Sequence, residues 1–195
     1  MGKQVWTGMT CAFVFAVVQA CGCNNTPGGG VGGGTSAEVD VSFDLDGGLG
    51  EFEVQAGQVV EKRGNGSFTL IGLTAGSGSI GIDVSDITVT PTDATGEKGT
   101  LTQQANSILE ISGFLEASDL IDTVCEQPIE RLYGPYLVTL DENFVPVSVD
   151  PATVDLRDDT IALLNEGEFT ICIRVLSPVD ATVSIASFGF TLRSD

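Results

Sequence analysis

The residues of this 195-residue chain that could do chemistry are mostly carboxylates. There are 27 aspartate and glutamate residues against 8 lysine and arginine residues, and no histidine. Without histidine, neither Ser-His-Asp nor Cys-His catalysis nor a histidine-ligated metal site can be built. The formal net charge of −19 opposes contact with a phosphate backbone, so we expect no nucleic-acid partner.

Calcium is the first ligand that the carboxylates suggest, because Ca²⁺ prefers hard oxygen ligands. The candidate ligands fall into two groups, Asp44 with Asp46, and Asp155 with Asp158 and Asp159. The first group has the spacing of the start of an EF-hand loop, but Gly48 stands where that loop needs its third oxygen ligand. The alternative is that acidic faces keep the domain soluble and monomeric. Apart from this possible Ca²⁺, we expect no cofactor.

Tyr133 and Tyr136 form the second candidate site, because carbohydrate binding requires exposed aromatic rings. They flank Gly134-Pro135 in a predicted loop. The alternative is that both rings cover the edge of the core and keep their hydroxyl groups in water.

A hydrolase with paired carboxylates is a third possibility, but so many acidic residues single out no pair. No lysine lies in a Ser-x-x-Lys spacing, which removes another nucleophilic arrangement. We therefore expect that the protein is not an enzyme.

The elements that carry these residues read as β-strands. From Glu38 onward apolar and polar residues alternate, most clearly at Phe169, Ile171, Ile173 and Val175, and turns recur about every 8 to 12 residues. Residues 38–195 therefore predict an all-β domain, a single two-layer β-sandwich of about 8 to 10 strands, Ig-like or jelly-roll-like. A division into two smaller sandwiches near residues 116–118 is the alternative.

Several local features refine this prediction. Turns are expected at Asp46-Gly47-Gly48 and Gly64-Asn65-Gly66, because glycine adopts positive φ at little cost. The alternation changes parity at Ser85-Asp86 and again near Ala186-Ser187, which indicates a turn or bulge at each point. We read Ile161–Leu164 as a strand and leave 118–131 open among a short helix, an irregular loop and a strand.

The N-terminus has the pattern of a targeting signal. Lys3 precedes a mostly apolar stretch that ends in Val18-Gln19-Ala20-Cys21, too short for a typical membrane span. These residues resemble the lipobox of bacterial lipoproteins. The resemblance implies removal of residues 1–20, lipidation of Cys21, and anchoring to a bacterial membrane with the domain outside the cytoplasm. An ordinary secretory signal and an uncleaved anchor are the alternatives.

Residues 21–37 read as a tether, uncharged and rich in glycine, which cannot bury enough apolar surface to become ordered. Such a coil spans about 20–24 Å on average. It would hold the domain clear of an anionic membrane surface, which would repel its negative charge.

The remaining cysteines fit an oxidising compartment. Cys125 and Cys172 form an even pair inside the domain, which predicts a disulfide. Cys172 points away from the Ile171/Ile173 face, so the bridge would hold the 118–131 segment over the other side of that sheet. Two buried free thiols are the alternative, and Cys23 is left over in the tether.

These observations favour a membrane-tethered protein with a non-catalytic binding or structural role in the cell envelope. Its edge strands or loops would contact a protein partner. A calcium- or carbohydrate-binding module is the alternative, and an envelope hydrolase is the third possibility.

Overall fold

The computed structural model describes residues 36–41, 44–45, 50–67, 74–92 and 107–194, with side chains from residue 50 onward. The predicted signal, Cys21, Cys23 and the turn at Asp46-Gly47-Gly48 lie outside the described residues. The first described strand begins at Ser36, two residues before the predicted start of the domain.

Alternating sequences form most of the described elements. The strands are β1 (Ser36–Val41), β2 (Asp44–Leu45), β3 (Glu51–Val54), β4 (Val59–Ser67), β5 (Ser77–Gly81), β6 (Ile87–Pro91), β7 (Ser107–Ala117), β8 (Tyr133–Leu140), β9 (Pro146–Asp150), β10 (Thr153–Asp155), β11 (Glu168–Leu176), β12 (Ala181–Ile185) and β13 (Phe188–Arg193). The described residues also form one α-helix, α1 (Asp158–Glu166), and four single-turn 3₁₀ helices (Val84–Asp86, Ser118–Leu120, Val124–Glu126 and Ile129–Arg131).

The fold is all-β and sandwich-like. A six-stranded sheet has the order β2-β4-β11-β7-β8-β9, a four-stranded sheet the order β1-β13-β5-β10, and a three-stranded sheet the order β3-β12-β6. All pairings are antiparallel. Each sheet contains strands from both sides of residues 116–118, which argues against two separate sandwiches.

The core lies between the six-stranded sheet and the two smaller ones, whose inward side chains form one buried cluster. The ring centroid of Phe169 on β11 lies 6.1 Å from that of Phe190 on β13. Lys62 on β4 reaches across to the three-stranded sheet, where its ammonium lies 5.3 Å from the ring centroid of Phe52 and donates to the Glu51 carbonyl. The alternation predicted for β11 is confirmed, since Phe169, Ile171, Ile173 and Val175 are all core residues.

The two predicted parity changes face each other. β5 and β6 are consecutive, as are β12 and β13, and β5 pairs with β13 while β6 pairs with β12. The chain therefore forms one long antiparallel ladder that is interrupted on both strands at the same level. On one strand the interruption is the 3₁₀ turn Val84–Asp86, and on the other it is residues 186–187.

Two local predictions are wrong. Gly64-Asn65-Gly66 is not a turn, because β4 runs through it in unbroken pairing with β11, with Gly64 opposite Ile171 and Gly66 opposite Phe169. Two glycines separated by one residue share one strand face, and here both are buried against large core side chains.

Ile161–Leu164 is likewise not a strand but part of α1. The apolar run is too short to define its own period. Two acidic residues in the first turn, Asp158 and Asp159, favour the helix N-terminus. Gly167, with φ of 88°, ends the helix by donating from its N–H to the Leu164 carbonyl. Among the described residues, no helix is long and apolar enough to cross a membrane.

Candidate binding surface

The three predicted calcium ligands whose side chains the structure describes, Asp155, Asp158 and Asp159, do not form a metal-ligand cluster. Asp46 and the side chain of Asp44 lie outside the described residues. Within the described part of the chain, one group of three potential metal ligands has its donor atoms within 4.8 Å of one another. That group is Glu61, Cys125 and Cys172, and it does not include Asp155, Asp158 or Asp159. Its two sulfur atoms are bonded to each other, so this group is not a metal site.

Asp159 contacts arginines rather than other carboxylates. Arg131 Nη2 lies 2.5 Å from Asp159 Oδ2, and Arg157 Nε lies 3.6 Å from Oδ1. Partial burial raises the pKa of Asp159, but the hydrogen bond from the Thr160 N–H and the two arginine charges outweigh it. The net result is a pKa below the usual aspartate value. Asp159 is therefore paired with two arginines, and their positive charges oppose the binding of a cation at its carboxylate.

Tyr133 and Tyr136 are buried, with 3% and 1% of their surface exposed, and neither lies in a loop, since β8 begins at Tyr133. The Tyr136 hydroxyl donates to the Ile80 carbonyl at 2.9 Å, and burial holds the pKa of Tyr136 above its ordinary value. The Tyr133 hydroxyl lies 2.6 Å from Thr160 Oγ1. The expectation of an exposed ring is therefore wrong, and no sugar can stack on these side chains in this conformation.

The sulfur atoms of Cys125 and Cys172 lie 2.16 Å apart, at disulfide distance. The bridge joins the central strand β11 to residues 118–132, which we name the cap. The cap comprises the segment 118–131, which the sequence left open, and Leu132, and it contains three single 3₁₀ turns. Val124, Cys125 and Leu132 of the cap pack on Phe114 and Cys172, on the side of the sheet away from the main core, as predicted from the parity of Cys172.

Two arginines, together with the disulfide, attach the cap to the six-stranded sheet. Arg63 Nη1, from β4, donates to the carbonyls of Ile121 at 3.3 Å and Asp122 at 2.6 Å. Arg131, within the cap, places Nη1 2.5 Å from Oε1 of the buried Glu116 on β7. The cap is thus fixed to β4, β7 and β11, with helix α1 joined through Asp159.

The cap covers only half of the outer face, by which we mean the side of the six-stranded sheet turned away from the core. Four adjacent strands place side chains on the open half, among them Val59, Ile108, Glu110, Ser112, Leu137, Arg174 and Leu176. One row runs straight across these strands, because Val59 pairs with Leu176, Leu176 with Glu110, and Glu110 with Leu137. Val59 is 51% exposed and Ile108 46%.

The open half contains a shallow depression lined by Val59, Glu110, Ser112, Arg174, Val175 and Leu176. Arg174 separates it from the cap. The Arg174 guanidinium lies 5.7 Å from the Phe114 ring centroid, and its Nε lies 2.8 Å from Glu61 Oε1. Glu110, partly buried among aliphatic side chains, has no ion-pair partner among the described residues.

The exposed large apolar side chains of the described residues belong to the six-stranded sheet, the turn before β9 and the cap. Among the described residues, the large apolar side chains that are exposed are Val59, Ile108, Leu120, Ile129, Val145 and Val147. The first two lie on the open half, the next two on the cap, and the last two beside or within β9. The two smaller sheets contribute none of these residues.

Strand β9, at the end of the six-stranded sheet, is a poor template for strand addition. Pro146 lacks an N–H, the pairing with β8 shifts register between Thr139 and Leu140, and β6 lies alongside. These are the usual ways in which a sheet edge is protected. The outer face, rather than this edge, is therefore the better candidate for contact with a partner.

Sequence reasoning did not identify the open half. The available signal was the parity of β7, in which Ile108, Glu110 and Ser112 alternate with the buried Leu109 and Ile111. What the sequence could not supply is the order of strands, which places Val59 and Leu137 in the same row as Glu110. The arrangement provides a noncovalent contact surface, with aliphatic groups around a carboxylate. No protein-family model, curated protein or solved structure matches this chain.

Proposed function

We propose that the protein is a membrane-tethered, non-catalytic binding module of the bacterial cell envelope, which contacts a protein partner through its six-stranded sheet and cap. The observation that carries this proposal is the segregation of exposed apolar side chains. Among the described residues, four of the six lie on the outer face or the cap, the other two lie beside or within β9, and none lies on the two smaller sheets, although a folded domain in water would otherwise favour polar groups on its surface.

The N-terminal sequence supports the location. Lipidation at Cys21 followed by a glycine-rich tether would let the domain turn its outer face toward a partner while remaining at the membrane. The charge of the domain supports a protein partner over the membrane itself, because an anionic lipid surface repels a strongly acidic domain.

Site-specific photo-crosslinking in a lipoprotein-processing host tests the binding role. A photoreactive residue is placed in the full chain at Ile108 on the open half, at Ile129 on the cap, or at Thr88 on β6. Thr88 is the matched control, because it is exposed but belongs to the three-stranded sheet. We expect the same protein adduct from Ile108 and Ile129 and none from Thr88. Equal adducts from all three positions, or none from any, would refute the proposed surface.

The anchor has its own test, the intact mass of the purified protein and of a Cys21→Ser variant. We expect the wild type to lack residues 1–20 and to carry acyl chains that the variant lacks. Retention of residues 1–20 in the wild type would contradict the anchored location and leave the binding surface to be judged separately.

A further inference from the structure

We propose that the depression on the open half binds a lysine side chain of the partner, with the ammonium group on Glu110 and the methylene stem over the surrounding aliphatic side chains. This inference rests on the proposed function and names the chemistry of its partner. The partner segment would present this lysine with aliphatic residues on either side.

Glu110 is the group that points to a cation. Leu176 and Leu137 are its cross-strand neighbours, and Ile108 precedes it by two residues on the same face of β7. A partly buried carboxylate in aliphatic surroundings has lost some of its hydrogen bonds from water. A charge-assisted hydrogen bond from a ligand would replace them.

The nearby arginine does not meet this need. Arg174 lines the same depression, but its Nε lies 2.8 Å from Glu61 Oε1 and its guanidinium lies over Phe114. Its positive charge is therefore already balanced, and its position is fixed at the border of the cap. Among the described residues, Glu110 is therefore the charged group of the depression that has no ion-pair partner.

Charge also selects among the possible occupants. A second copy of this chain, with a formal net charge of −19, would add like charge to the surface. An anionic membrane would do the same. A lysine matches both features of the depression, because it carries a compact point charge at the end of an apolar stem that can cover Val59 and Leu176.

A peptide that alternates leucine and lysine, acetylated, amidated and fluorescently labelled, tests this inference on the full chain purified in mild detergent. The control peptide has ε-acetyl-lysine at the same positions, so that length and apolar surface are kept while the charge is removed. Fluorescence anisotropy at two salt concentrations measures the affinity. We expect Glu110→Gln to weaken binding of the lysine peptide about tenfold, and the acetylated peptide not to distinguish the variant from the wild type.

Glu166→Gln is the matched protein control, because it removes one negative charge from an exposed position on α1 and leaves the outer face intact. We expect it to weaken binding less than about twofold, since only the general field of the protein changes. If both variants weaken binding equally, or if the lysine peptide binds no better than its acetylated form, the lysine site is refuted. The photo-crosslinking result from Ile108 would still decide the proposed function independently.

Discussion

Ser187 donates a hydrogen bond to Asp86 across the interruption of the long ladder, with 2.7 Å between Oγ and Oδ2. The neighbouring Ala186 N–H donates to the Asp86 carbonyl, also at 2.7 Å. Asp86 therefore accepts hydrogen bonds from both the backbone and a side chain of the facing strand, at the point where regular pairing stops. The two parity changes of the sequence are therefore two sides of a single bridged break.

Asp86→Ala and Ser187→Ala should be energetically coupled. We expect the Asp86 variant to lower the free energy of unfolding by about 1–2 kcal/mol and the Ser187 variant by about 1 kcal/mol, because each removes one partly buried, charge-assisted hydrogen bond. Urea denaturation of the two variants and their combination measures the coupling. A double variant whose cost equals the sum of the single costs would show that the bond contributes nothing.

The disulfide should contribute strongly to stability, because Cys125 and Cys172 are separated by 47 residues. Closing a loop of this length stabilises the folded state by about 4 kcal/mol in the chain-entropy model. We expect the Cys125→Ala/Cys172→Ala variant to unfold at a correspondingly lower denaturant concentration, with faster amide exchange in the cap than in β12. Cys23→Ala is the control and should leave the transition unchanged. Identical transitions for all three proteins would contradict a stabilising bridge.

The sequence predicted best the elements whose pattern is local. The strict alternation of Phe169, Ile171, Ile173 and Val175 is enough to define a strand with one buried face, and the even pair of cysteines is enough to suggest a bridge. It failed at Gly64 and Gly66, where a glycine pair typical of a turn fits a strand packed against large side chains. The prediction from sequence also failed at α1. There Gly167 and the adjacent Asp158 and Asp159 were better evidence for a helix than the short apolar run was for a strand.

The candidate surface could not be derived in this way. Glu110 is distinctive because Leu176 and Leu137 flank it, and both reach it only through pairing between strands that are far apart in sequence. The same holds for the tyrosines. Gly134-Pro135 is typical of a loop, but pairing of β7 with β8 turns Tyr136 into the core.

Burial of Tyr136 predicts loss of stability in alkali. Because folding raises the pKa of Tyr136, its neutral hydroxyl stabilises the protein below the ordinary tyrosine pKa of about 10, and this contribution is lost as the pH rises further. In a Tyr133→Phe variant Tyr136 is the remaining tyrosine of the 2 in the chain. We expect its tyrosinate absorbance to appear together with the loss of native circular dichroism. Titration near the ordinary pKa with the fold intact would disprove this.

Two arginines contact Asp159, so we predict that its contribution to stability is lost in acid, whereas that of Tyr136 is lost in alkali. Folding lowers the pKa of Asp159, so its ion pairs stabilise the protein above the ordinary aspartate pKa and are lost as the pH falls through the folded value. We expect Asp159→Asn to cost less than about 1 kcal/mol at neutral pH, because the side chain is 55% exposed, and less in acid.

Asp158→Asn is the control for this effect. It removes the same charge from the same helical turn but from a residue without an arginine partner among the described residues. Urea denaturation at neutral and acidic pH compares the two variants. A cost of Asp159→Asn that does not diminish in acid, or an equal pH response of both variants, would contradict a role for the arginine pairs.

Strand β1 pairs along its whole length with β13, from Ser36 opposite Arg193 to Val41 opposite Phe188. The first strand of the described residues therefore pairs with one that is synthesised about 150 residues later. Until then the four-stranded sheet cannot close, and contacts between such distant segments form slowly. A chain that still lacks β13 therefore cannot place β1 in its native position. The four-stranded sheet forms only after almost the whole domain has been synthesised.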